Sequence, residues 1–239
     1  QTCFEAGDIK STYGTGCFLI LNTGNQILRS QNKLLSTIGY KIDQEVVYAL
    51  EGSIFVAGAL IQWLRDKMQF FLSAPESEAL AKTANGNSEI IIIPSFTGLG
   101  APFWNPDVKG SIHGISLDTT QQDIILASLE AIAFQSKDLL EAIRQDGAEI
   151  NSIKIDGGMA NNDLFGQILS DVLNVSVQRP KNIESTALGA AFFAGIGSGY
   201  VKFNELSDIW KADKIFSPEK SYDAKYSFYS EALNASINK

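Results

Sequence analysis

The sequence predicts an α/β domain built on one mixed sheet, with antiparallel hairpins first, parallel β/α units afterwards and helices on both faces. Two observations carry this. The first third alternates short apolar runs with turn residues, the mark of antiparallel strands, while residues 152–196 run strand, helix, strand, helix. A βαβα series in a compact unit implies parallel strands joined by right-handed crossovers. No internal repeat, low-complexity tract or linker precedes a polar stretch after about Tyr200, so one domain is expected, compact over residues 1–200, with 201–239 as a C-terminal tail.

The elements follow in order. Cys17–Leu21 is a strand, Thr23-Gly24-Asn25 a turn, and Gln26–Arg29 a second strand closing a hairpin. Leu35–Ile42 and Glu45–Leu50 are extended, and Glu51-Gly52-Ser53 breaks the pattern. Ile54, Ala57, Ile61, Leu64 and Met68 then recur at helical spacing, with Ser53 as N-cap and an end near Phe71. Ser73-Ala74-Pro75-Glu76 has capping-box spacing and opens a helix over Pro75–Thr83. Ile90–Ile93 reads as a buried strand, Thr97–Pro106 as a packed loop and Gly110–Ile115 as a strand. Thr120 opens the longest helix, which Gln145-Asp146-Gly147 ends. Strand Ser152–Asp156, turn Gly157-Gly158, helix Asn162–Leu173, strand Val175–Gln178 and helix Thr186–Ile196 complete the series.

Composition narrows the function classes. The 239 residues are 45% hydrophobic, enough for a core, and carry a formal charge of −8. That charge argues against nucleic acid, whose affinity comes largely from Lys and Arg displacing counterions. No apolar run approaches the roughly 20 residues needed to cross a bilayer, and no basic-then-apolar leader opens the chain, so no membrane span and a cytoplasmic location are expected. Cys3 and Cys17 have neither disulfide-framework nor metal spacing, and a reducing compartment suits them. His113 is the sole histidine and reads as structural. The glycosylation tripeptides at Asn174 and Asn234 carry no weight without a signal peptide.

Three segments have the composition of a ligand site. In Gly14-Thr15-Gly16, successive amides of a glycine turn are able to face one concavity and bind phosphate oxygens, with the Thr15 hydroxyl as a further donor; a β-bulge or tight hairpin turn explains the same letters. Asp156-Gly157-Gly158-Met159-Ala160-Asn161-Asn162 follows a buried strand and precedes a helix, the place where open α/β sheets bind ligands. Its bare glycines leave room for a flat ring, and Asn162 either caps the helix or bonds a nucleotide. Gly58, one turn before Gln62, costs its helix about 1 kcal/mol relative to alanine, which either close packing or close ligand approach offsets. Walker A and GxGxxG patterns are missing.

Taken together, "STYGTGCFLIL" (Ser11–Leu21), "LEGSIFVAGALIQWLRD" (Leu50–Asp66), "PSFTGLGAPFW" (Pro94–Trp104), "LEAIAFQ" (Leu129–Gln135), "IDGGMANN" (Ile155–Asn162), Arg179-Pro180 and "TALGAA" (Thr186–Ala191) resemble the glycerol kinases. These belong to the carbohydrate kinase superfamily with the ribonuclease H-like, actin-like ATPase fold. Each segment is modest alone, but the ordered set spans about Gln1 to Tyr200. The resemblance implies a two-domain kinase that moves the γ-phosphoryl group of ATP, with Mg²⁺, to glycerol in the cleft between its domains, and it matches this chain to the C-terminal domain only. It implies nucleotide contacts at Thr15, Gly16, Gly58, Gln62, Gly158 and Asn162, and a glycerol contact at Phe18. The family's catalytic aspartate and most of its glycerol ligands lie upstream of Gln1. No catalytic residue is therefore expected here, the missing N-terminal domain is the expected partner, and the chain alone is expected to be inactive; a homo-oligomer is compatible with the resemblance. A kinase for a pentulose or another polyol, or a non-catalytic actin-like nucleotide-binding module, would share much of this half.

Overall fold

In the computed structural model, which describes residues 1–86 and 88–238, seven strands form one sheet in the order β3-β4-β2-β1-β7-β8-β9. The strands are β1 (Asp8–Tyr13), β2 (Cys17–Gly24), β3 (Leu35–Ile42), β4 (Glu45–Ile54), β7 (Ser152–Asp156), β8 (Val177–Pro180) and β9 (Ala212–Phe216), and β5 (Ile91–Ile93) and β6 (Ser111–His113) pair separately. Strands β1 to β4 are antiparallel neighbours, whereas β7 lies parallel to β1 and β8 parallel to β7. The mixed sheet expected from sequence is thus present.

Alternation divides the sheet into two faces. Ile9, Tyr13, Cys17, Leu19, Leu21 and Leu50 are buried on the face that α3 (Gln121–Gln145) covers. Gly52 sits there too, where an added Cβ would stand 2.8 Å from a Leu139 methyl. Helix α4 (Asp163–Leu173) packs beside α3. The opposite face carries Lys10, Thr12, Ile20 and Val47 and looks toward α5 (Ser185–Gly197) across an open groove.

The N-terminus of α3 is fixed as its sequence suggests: the Thr120 hydroxyl accepts from Asp123 N, and the Asp123 carboxylate accepts from Thr120 N at 2.9 Å. The Asn162 side chain accepts from Phe165 N at 2.9 Å and caps α4. The Ser73 hydroxyl donates to Glu76 at the head of α2 (Glu76–Ala81).

Four expectations need correction. Gln26–Arg29 is not a strand; β2 pairs instead with β1, which the sequence pattern hid because polar Ser11 points inward with Ile9 and Tyr13. Glu51-Gly52-Ser53 does not end β4, since Gly52 is paired with Leu19 and Ser53 with Phe18. Ser53 caps nothing: α1 runs Gly58–Asp66, its N-cap is Ala57, and carbonyls of the β1–β2 turn accept from its first amides. The stretch after Tyr200 is no tail. After the short helix α6 (Leu206–Ile209), strand β9 completes the sheet edge, and α7 (Asp223–Ile237) buries Tyr229 and Leu233 while Lys225 pairs with the buried Glu130 of α3.

Candidate functional site: a cavity at the carboxyl ends of β1 and β7

Because β1 and β7 are parallel, with Thr12 opposite Asp156, the residues that follow each strand emerge at the same edge of the sheet. After β1 comes the turn Gly14-Thr15-Gly16; after β7 come Gly157 and a 3₁₀ turn over Gly158–Asn161. Gly157 takes φ of 84°, and a Cβ there would lie 2.5 Å from the Tyr13 carbonyl oxygen, so only glycine lets the two strand ends meet this closely.

The turn after β1 is oriented by α1. The Gly14 carbonyl accepts from Gly58 N at 2.9 Å, and the Thr15 carbonyl accepts from Ala57 N at 3.0 Å and Ala59 N at 2.9 Å. In a planar trans peptide the N–H points opposite to the C=O. The amides of Thr15 and Gly16, which share peptide units with those carbonyls, therefore face away from α1. Among the described residues neither donates a backbone hydrogen bond. Two adjacent free amides beside a threonine hydroxyl form the kind of concavity that binds anionic oxygens.

A cavity of about 580 Å³ opens between these turns. Gly14, Thr15, Gly58, Gln62, Gly158 and Asn162 line it, joined by Ile61 from α1, Phe71, and Ala74, Pro75 and Ser77 from the α2 segment. Five of the seven site residues singled out from sequence thus share one wall. The α-carbon of Gly158 has nothing within 4 Å where a side chain would begin, leaving a flat backbone surface. Gly58 has a different reason to be glycine: a Cβ would stand 2.4 Å from the Gly14 oxygen, so close packing of α1 on the turn decides it. Asn162 spends its Oδ1 on the cap of α4, and its Nδ2 makes no hydrogen bond among the described residues.

Gly16 and Phe18 do not line the cavity. Gly16 fits against β4, where a Cβ would meet the Ile54 oxygen at 2.5 Å. Phe18 is 53% exposed and alternates onto the groove face of the sheet with Ile20 and its partner Thr12.

Sequence reasoning missed the groups that hold this wall in place. Arg179 donates to the Ala160 carbonyl at 2.9 Å, to Asp163 at 2.8 Å and to Asp213 at 2.6 Å, tying the 3₁₀ turn to α4 and β9. The hydrogen bond from Lys214, with help from Arg179, keeps the Asp163 carboxyl below the ordinary carboxylate range. Tyr13 is fully buried, shares a 2.8 Å hydrogen bond with Ser136 and meets Phe165 edge-on, and burial pushes its phenol upward. The dipeptide Arg179-Pro180 was visible in the sequence, but its partner Asp213 lay in the stretch read as a tail.

The model for the C-terminal domain of the FGGY family of carbohydrate kinases matches residues 9–198. The chain belongs to this family. A Marinomonas protein called glycerol kinase is 52% identical over 219 residues, covering 91% of this chain and 44% of that protein. The Coxiella burnetii (strain RSA 331) protein called glycerol kinase is 44% identical over 241 residues, or 99% of this chain and 48% of that protein. The crystal structure of Plasmodium falciparum glycerol kinase with ADP superposes with a TM-score of 0.87 at 34% identity, over 98% of this chain and 47% of that one. A ligand-bound xylulose kinase from Lactobacillus acidophilus shares the fold at 22% identity, with a TM-score of 0.84, 98% of this chain and 48% of that chain covered. The chain thus spans about half the length of the curated relatives it matches. As an FGGY C-terminal domain it has the mixed sheet and flanking helices of a carbohydrate kinase.

Proposed function

We propose that this chain is the nucleotide-holding half of an ATP-dependent glycerol kinase that yields glycerol 3-phosphate. The observation that carries the reading is the convergence of the Thr15 turn and the Gly157-Gly158 turn on one cavity. In this reading the outward amides of Thr15 and Gly16, with the Thr15 hydroxyl, hold the phosphates. Gly58 and Gln62 border the nucleotide on the α1 side, and the bare surface at Gly158, with Asn162, receives the adenosine. Phe18, exposed on the groove face, offers an apolar ring to the carbon side of glycerol. Glycerol is favoured over a pentulose or other polyol by relatives called glycerol kinase at 44–52% identity, against 20–22% for the solved xylulose kinases.

The chemistry follows from position. Phosphoryl transfer depends on alignment and on charge stabilisation around the moving group. The residues here grip the donor, and the base for the acceptor hydroxyl, which must come within about 3 Å of it, is assigned to the other half. Among the described residues no group of three His, Cys, Asp or Glu side chains is placed to hold a metal. In this reading Mg²⁺ would sit on the phosphates of the nucleotide and offset their charge. No described helix is long and apolar enough to cross a membrane, and we place the enzyme in the cytoplasm.

The parent protein, given glycerol and Mg-ATP, is expected to release glycerol 3-phosphate and ADP in equal amounts, and to turn over D-xylulose far more slowly. No product above background, or a preference for the pentulose, would refute the assignment. Residues 1–239 alone are expected to bind ADP more weakly than the parent and to show no turnover.

A further inference from the structure

The cavity beside the Thr15 turn has two ends. Gly58, Ile61, Gln62 and Arg65 line it from α1 at the spacing of one helix face, and seven residues of helix rise about 10 Å. Gly58 lies against the turn, since its amide donates to the Gly14 carbonyl. At the other end of α1 the chain reverses, with Phe70 N donating to the Leu64 carbonyl at 3.1 Å, and Phe71 and the α2 segment border the cavity there. With the phosphates at Thr15, as proposed above, the base falls between the α2 segment and the 3₁₀ turn at Gly158.

Helix α2 has little stability of its own with which to hold such a wall. It is six residues long, and a helix of that length is not stable in isolation. The buried Ser77 and Ala81, one turn apart, fix its inner face. Toward the 3₁₀ turn it is tied by a single side chain. Glu78 lines the cavity, and its Oε2 accepts from Asp163 N at 3.2 Å, across 85 residues of sequence.

Asp163 opens α4, and an amide in the first turn of a helix has no partner within that helix. Asn162 serves the Phe165 amide and Glu78 the Asp163 amide, so α4 is capped from two separate elements. The carboxylate also meets the positive end of the helix dipole. Lys82, one turn along α2, donates to the other oxygen of Glu78 and orients it. Among the described residues, the bond from Asp163 to Glu78 is the one hydrogen bond between residues 72–82 and residues 157–163.

We propose that Glu78 is a positioning residue for the nucleotide: by tying the α2 segment to the first amide of α4, it sets the width of the slot that takes the base and leaves the phosphate turn alone. This rests on the reading above that the cavity holds ADP and ATP. Without the tie, the α2 segment is free to draw back and the base loses the apolar contact of Phe71, Ala74 and Pro75. The Thr15 turn, held by α1, keeps its amides in place.

Calorimetric titration of the parent protein with ADP, adenosine and inorganic pyrophosphate separates the two ends of the cavity. Glu78→Ala is expected to weaken ADP and adenosine by the same factor, at least about fivefold, and to keep pyrophosphate within about twofold, which also shows that the variant is folded. Glu78→Gln retains an acceptor oxygen for the Asp163 amide and is expected to bind ADP within about twofold of the unsubstituted protein. In turnover, the alanine variant should raise the KM for ATP by the same factor with kcat kept within about twofold. Unchanged ADP affinity in Glu78→Ala, an equal loss of pyrophosphate, or a glutamine variant as weak as the alanine one would overturn the proposal. An unsubstituted protein that does not bind ADP would refute the nucleotide reading along with it, whereas one that binds ADP and is indifferent to Glu78 refutes the tie alone, so the two failures are distinguishable.

Discussion

Two residues carry most of the separable information about the proposed nucleotide wall. At Gly158 there is free space where a side chain would start, so Gly158→Val is expected to change stability little while placing two methyls where adenosine is proposed to lie. Calorimetric titration should show ADP affinity at least about tenfold weaker with an unchanged melting temperature. Asn162 poses a finer question, because its Oδ1 caps α4 while its Nδ2 is unengaged. Aspartate is an equally good N-cap and has no amide donor. Asn162→Asp should therefore keep the stability that Asn162→Ala loses, about 1 kcal/mol for a missing cap. If Asn162 also serves the nucleotide, the aspartate variant will bind ADP several-fold more weakly; urea unfolding and ADP titration on the same samples check both parts. Gly58 belongs to a different class. The Gly14 carbonyl leaves no space for a methyl, so Gly58→Ala is a packing defect whatever the ligand does.

At the scale of elements, α7 is held to α3 by a titrating contact. Tyr226 and Tyr229 donate to the two oxygens of the partly buried Asp138 at 2.7 and 3.1 Å, with Lys137 and Glu141 nearby on α3. Burial pushes the Asp138 carboxyl up to about 7, and the two phenols only partly oppose it. A folded value above the unfolded one means that the fold prefers the protonated group. This contribution is complete below the ordinary carboxylate value and is lost as pH rises through about 7. Burial also raises the Glu130 carboxyl, and its contribution has the same sign. Asp163 works oppositely: held low by Lys214 and Arg179, it contributes above the ordinary value and fades as pH falls. The melting temperature is thus expected to decline from pH 6 to pH 8, less steeply in Asp138→Asn, as thermal unfolding followed by circular dichroism would show.

The same scale explains what the sequence could and could not convey. The βα units from Ser152 to Ile196 were legible because period and turn residues agree there, and the cap at Thr120 was legible because Asp123 completes it. Strand β1 was obscured by Lys10, Thr12 and an inward Ser11, a polar pattern that only its place between β2 and β7 makes extended. Ser53 had the chemistry of a cap but lies within β4, paired with Phe18 of β2. In the C-terminal stretch, Tyr222, Tyr226, Tyr229 and Leu233 recur at helical spacing, yet tyrosine and intervening charges lower its apparent hydrophobicity. Only the packing of these rings on Phe134 and Asp138 shows it to be part of the core. At the cavity, glycines placed at strand ends singled out residues that the fold brings together, while Arg179 and the α2 segment, whose roles depend on distant partners, did not announce themselves.

For the whole molecule, the parallel pairing of β1 with β7 brings two turns separated by some 140 residues of chain to one edge, and the antiparallel pairing of β2 and β4 provides the second face to which Phe18 belongs. In the proposed reading this chain supplies one wall of a nucleotide cleft, and it spans 44–48% of the relatives it matches. The account's central claim is that the two turns grip a single nucleotide, and titration of ADP into ¹⁵N-labelled chain tests it most directly. The amide resonances of Thr15, Gly16, Gly157 and Gly158 are expected to move together along one binding isotherm. Shifts at only one of these turns, or on a different face of the sheet with both turns unmoved, would contradict it.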